Sequence, residues 1–269
     1  MAIFSGPLRS PPVVYALCQI RFAPFPRWEE TIRQVHESLS DRGLGRQDER
    51  VQAIAIDEGG GEPQVRAQQR VRFENREATF GYVLAADQLV THQSSYTNFE
   101  DLCDNVRRGF QAVIQHANIP FITRIGLRYV DLITAGPDET VDDYVQPQLQ
   151  AFAPDLPTTT EGTPERRGSA QLIDWKYPRS RVLFKVYRGN HTDPLPVDLK
   201  PVSLRFSRCP NKDRESLIFD IDHFVEELRT PPDWLLVGEL IRQLQEPMSQ
   251  IFKAALSEHA VRRYKEGDR

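Results

Sequence analysis

The strongest constraint on this chain is one amphipathic segment, residues 98–118. Phe99, Leu102, Cys103, Val106, Phe110, Val113, Ile114 and Ala117 recur there at 3.6-residue spacing over about five turns, which predicts a helix with a single wide apolar stripe. Thr97 and Glu100 make a Thr-x-x-Glu capping box at its start. Such a stripe has to be covered, and the flanking segments offer sheet to cover it. In residues 14–22 the apolar Val14, Ala16, Cys18, Ile20 and Phe22 alternate with Tyr15, Leu17, Gln19 and Arg21. In residues 123–133, Ile125, Leu127, Tyr129 and Ile133 share one face, while Arg124, Gly126 and Arg128 share the other.

The rest of the chain repeats that plan. A helix is expected over 27–39, with Trp28, Ile32, Val35 and Leu39 on one stripe, closed by Gly43 and Gly45. Residues 51–57, 64–74, 78–85 and 89–95 read as a meander of antiparallel strands, with 58–62 a turn rather than a phosphate loop. A short helix is expected over 141–152. Residues 153–168 carry Pro154, Pro157 and Pro164 among four threonines, which reads as a linker or long loop. Strands follow at 169–175, 181–188, 202–208 and 216–224. A long helix over 233–264 ends the series, with Pro247 expected to kink it. The class is therefore α+β, in two halves (1–152 and 169–269, joined by 153–168), each a mostly antiparallel sheet packed by a long amphipathic helix.

Composition limits the function classes. Apolar residues at 39% and charged residues at 27% suit a globular chain, and no segment reaches the ~18 apolar residues of a membrane span. The apolar run at the N-terminus is too short for a signal peptide. Cys18, Cys103 and Cys209 are odd in number and widely spaced, so neither a zinc site nor a disulfide framework is expected, and a reducing cytoplasmic setting is. A net charge of −4 argues against a dedicated duplex-DNA binder. The basic residues are 28 Arg against 6 Lys, either a coding bias or a sign of planar carboxylate or phosphate recognition.

Motifs of P-loop, dinucleotide-binding, α/β-hydrolase and zincin chemistry are all missing, and no cofactor is expected. Four weaker patterns remain. Pro154-Asp155 with Asp174-Trp175-Lys176 fits the acidic pair plus lysine of metal-dependent nucleases, although Asp155 falls in the Pro/Thr stretch. Asp220 and Asp222 put two carboxylates on one strand face, as a Mg²⁺-dependent phosphodiester enzyme needs, or pair there with arginines such as Arg205. His92-x-Ser94 and His36-x-Ser38 form the paired motif of two-histidine phosphoesterases, but His36 falls on a helix. Finally, Arg70 and Arg72 on one strand, Arg124 and Arg128 on another, and Arg205 in the second half form a candidate ligand or partner site. Tyr129 and Tyr96 are candidates to stack on a base beside them.

Several segments in order, namely Pro11-Pro12-Val13-Val14-Tyr15-Ala16-Leu17-Cys18-Gln19-Ile20-Arg21-Phe22, Tyr96-Thr97-Asn98-Phe99, Arg124-Ile125-Gly126-Leu127-Arg128-Tyr129-Val130-Asp131 and Leu217-Ile218-Phe219-Asp220-Ile221-Asp222, resemble a sporadically distributed, largely uncharacterised prokaryotic family of about this size. Where that family usually shows Asn, this chain has Asp131. The resemblance transfers no catalytic residue; it implies an accessory gene system such as phage defence. The expected function is a non-catalytic cytoplasmic adaptor or regulator that binds a protein partner. A nucleic-acid or nucleotide-binding module on the arginine face, and a metal-dependent phosphodiester enzyme, are the alternatives. A homo-oligomer is compatible with every reading.

Overall fold

The computed structural model describes residues 8–55, 64–150, 167–200 and 202–266. Among these residues nine strands form one antiparallel sheet: β1 (Val13–Phe22), β2 (Gly45–Ala55), β3 (Gln64–Glu74), β4 (Phe80–Ala85), β5 (Gln88–Gln93), β6 (Ile122–Thr134), β7 (Gly168–Lys176), β8 (Arg181–Gly189) and β9 (Ser216–Val225). Their order is β2-β3-β4-β5-β1-β6-β9-β8-β7. Strands from both sides of the 153–168 stretch thus share one sheet, and β6 pairs β9 from Ile125↔Val225 to Thr134↔Ser216. The α+β class holds. Residues 153–166 of the expected linker, like the 58–62 turn, lie outside the described residues.

Helices α1 (Trp28–Ser38), α2 (Phe99–His116) and α3 (Trp234–Ala255) cover one face of this sheet. The main core lies between them, with Cys18, Ile20, Phe73, Leu127 and Phe219 from the strands against Ile32, Val106, Phe110 and Ile241 from the helices. The apolar stripe of α2 behaves as its spacing predicts, but the cap is displaced by one residue. Asn98, not Thr97, accepts the Asp101 amide at 2.9 Å, because Asn98 holds the extended backbone that an N-cap requires.

Other elements also depart from the pattern. The helix expected over 233–264 is two helices, α3 and α4 (Glu258–Glu266). The break follows Pro247 at a distance, where Leu256 bridges to Val145 and the Ser257 hydroxyl accepts the Ala260 amide to start α4. Strand β2 begins at Gly45, ahead of the expected 51. The helix expected over 141–152 is a pair of short 3₁₀ turns, Val141–Tyr144 and Pro147–Leu149.

The most informative departure is residues 202–208, which alternate like a strand and form none. β9 is already paired on both sides by β6 and β8, so no edge is free there. The stretch instead lies across the sheet face opposite the helices. Leu195 and Leu204 bury against Val14, Tyr15, Val130, Leu132 and Ile218 in a second, smaller core. Its backbone is satisfied elsewhere: the Arg205 amide donates to the Ala78 carbonyl at 2.6 Å, and Ser94 Oγ donates to the Arg205 carbonyl at 2.5 Å. Alternation here records one-sided burial, not pairing.

Candidate binding site on the open sheet face

Period two divides each strand between the helix-covered face and the open one, and it sends the predicted arginines to the open side. Arg70 and Arg72 of β3, Arg124 and Arg128 of β6, and Arg21 of β1 line one concavity of about 450 Å³. The crossing segment walls it with Asp198, Leu199, Val202 and Ser203. Four of the predicted arginines are therefore brought together. Arg205 is not among them; it is exposed outside the lining. Tyr129, a candidate to stack beside the arginines, does not join them either. Being next to Arg128 in an extended strand puts it on the opposite face, where its ring meets Tyr96 edge-on at 5.4 Å.

Carboxylates accompany these arginines. Glu49 meets Arg70 Nε and Arg72 Nε at 2.7 Å each, and Arg72 also reaches Glu74 at 2.9 Å. Glu74 in turn accepts the Ser203 hydroxyl, tying the crossing segment down. Arg124 donates to Glu226 at 3.1 Å and to Gln19, and its guanidinium lies 4.5 Å from the centre of the Phe224 ring. Gly126 permits this pose, since a Cβ there would stand 2.7 Å from the Arg124 guanidinium. Burial lowers the Arg124 pKa, and Asp222 and Glu226 oppose that shift. Asp222 moves upward, driven by burial and restrained by Arg124 and Arg128.

Arg128 is the most committed of the set. Its Nε and one terminal nitrogen donate to the two oxygens of Asp220 at 2.6 and 2.7 Å, while both terminal nitrogens reach Asp198 at 2.7 and 3.1 Å. Burial alone would lower its pKa; hydrogen bonds to Asp220 and Asp198 more than offset this, and the pKa rises. Asp220 is wholly buried, with Lys185 3.7 Å away. The acids on this strand face do pair with arginine, but the partners are Arg128 for Asp220 and Arg124, 3.9 Å away, for Asp222, rather than Arg205.

These pairs bear on the metal readings. Both oxygens of Asp220 already face a cation, and no described group of three or more His, Cys, Asp or Glu side chains is placed to hold a metal ion. Asp174 accepts from Arg181 at 2.9 and 2.5 Å near the β7 end, and Asp155 lies outside the described residues. His92 and His36 do not share a cleft. His36 stacks on Phe73 at 5.5 Å on the helix side, whereas His92 lines the arginine concavity. The Tyr15 hydroxyl lies 2.9 Å from His92 Nδ1. Burial, with Arg72 and Arg70 nearby, pushes the imidazole down to about 3, so it stands neutral.

The chain matches no protein-family model and no curated protein. The site therefore has to be read from its own chemistry. Sequence reasoning missed Arg21, His92 and Asp198 as members. The alternation of β1 already put Arg21 on the Gln19 face, but nothing local shows that Asp198 crosses the sheet to meet Arg128. No described helix is long and apolar enough to cross a membrane.

Proposed function

We propose that this protein is a non-catalytic binding module, an adaptor or regulator in an accessory or defence gene system, that engages a protein partner through its open sheet face. One observation carries the reading: the concavity is densely charged and carries both signs, five arginines among three carboxylates. Five arginines from β1, β3 and β6 line it together with Asp198, Asp222 and Glu226. A run of phosphates would meet those three carboxylates alongside the arginines and pay their repulsion. A protein surface of mixed charge finds a complement for both signs, and such interleaving favours specificity over indiscriminate anion binding. The engagement of Asp220 by Arg128 supports binding rather than two-carboxylate metal catalysis.

The test is site-specific photocrosslinking in the native cell, with the crosslinker at Arg21 in the concavity or at Leu235, 80% exposed on the helix-covered side. The expected result is one stoichiometric protein adduct from position 21, none from 235, and loss of the adduct in Arg124→Glu. Crosslinks to nucleic acid with steep salt dependence, or adducts from 235 alone, would overturn the reading.

A further inference from the structure

The opposite face of the same strands holds a second cavity of different chemistry. It measures about 410 Å³, within the range of small-molecule sites, and lies between the start of α2, the C-terminal half of α3 and strands β1, β6 and β9. Its walls are largely apolar, and four are aromatic: Tyr96, Phe99, Tyr129 and Phe252. Among these walls stands Asp131. It is 2% exposed, and its Oδ1 has no hydrogen-bond partner. Burial pushes this carboxyl up to about 8, with Asp220 adding to the rise.

A carboxyl with an unpartnered oxygen is costly to bury, and a fold that only needed to fill this position would place an apolar residue there. A buried carboxyl inside aromatic walls matches one ligand class well. An organic ammonium supplies the missing charge and donors to the carboxyl, while ring faces attract the cation. Lys253 also lines the cavity, and it is itself engaged in an interaction. We propose that this cavity binds a small organic ammonium ion, with Asp131 as its counter-ion and Tyr96, Phe99, Tyr129 and Phe252 as its aromatic walls. The site is separate from the open-face interface, on the other side of the sheet, so either proposal can fail without the other.

The test uses 2-phenylethylammonium, its neutral isostere 2-phenylethanol and the anion 3-phenylpropionate, titrated by ligand-observed NMR and calorimetry. The ammonium is expected to bind at about millimolar Kd or tighter and to be favoured at least about tenfold over the alcohol. Asp131→Asn is expected to abolish that preference while leaving alcohol binding intact. Ser249→Trp, which fills the cavity from α3, is expected to remove both. The proposal is overturned if the ammonium fails to bind, if 3-phenylpropionate binds better, if Asp131→Asn leaves the preference unchanged, or if binding survives Ser249→Trp.

Discussion

The two faces of the β1–β6–β9 centre handle buried charge in opposite ways. On the open face, Arg128 is enclosed by Asp220 and Asp198, so each charge has a partner at hydrogen-bond distance. On the covered face, three residues along the same strand, Asp131 has an apolar cavity and no partner for Oδ1. The first arrangement ties Asp198 of the crossing segment to the sheet and leaves a surface of paired charges. The second leaves a group whose charge depends on what enters. Paired charges build a surface, whereas a buried carboxyl with an unpartnered oxygen leaves room for a ligand to supply the partner.

The largest expected effect breaks the paired side. Arg128→Met strands Asp220 in the interior with Lys185, 3.7 Å away, as its remaining cation among the described residues, and should cost about 3–5 kcal/mol in chemical denaturation. Adding Asp220→Leu to that variant should recover much of the loss, because the penalty is the orphaned charge rather than the missing pair. Recovery of none of it would mean that the Asp198 link, not Asp220, holds this face together.

Next is the unpaired side. The folded-state pKa of Asp131 lies above its ordinary value, so the folded chain holds the proton more tightly. Stability from this group is therefore present at low pH and is lost as pH rises from about 4 to about 8. Relative to Asp131→Asn, wild type should lose about 1.4 kcal/mol per pH unit across that window, read from urea midpoints. Parallel curves for the two proteins would show that Asp131 is partnered in solution.

His92 shifts the other way. Its folded-state pKa is depressed to about 3, so the neutral ring is the stable form, and stability falls as pH drops below about 6.5. Tyr15→Phe, which removes its hydroxyl partner, should cost about 1 kcal/mol at pH 7. The smallest effect is at the β7 end. Asp174→Asn should leave the melting midpoint unchanged, with or without Mg²⁺; a metal-dependent shift lost in this variant would revive the nuclease reading.

Much of the site was legible from alternation. Arg124 and Arg128 share a face because they are four residues apart in an extended strand, and the same count put Arg70 with Arg72. The same alternation puts Tyr129 opposite Arg128, so a role for its ring beside the arginines does not follow from their being neighbours in sequence. The value of Asp131 was hidden as well. In sequence it is one more acid after an apolar run, and only the packing of α2 and α3 makes its surroundings dry and aromatic.

The residue pattern alone determined the α+β class, the α2 stripe and the sorting of each strand into an apolar and a polar face. These depend on periods of 2 and 3.6 residues, which are local properties of the backbone. Tertiary structure decided the order β5-β1-β6-β9, the fate of residues 202–208 as a crossing segment, and which carboxylate meets which arginine. Those outcomes depend on which edges are already paired and which faces are still uncovered once the chain has collapsed. Neither condition is written in any one segment.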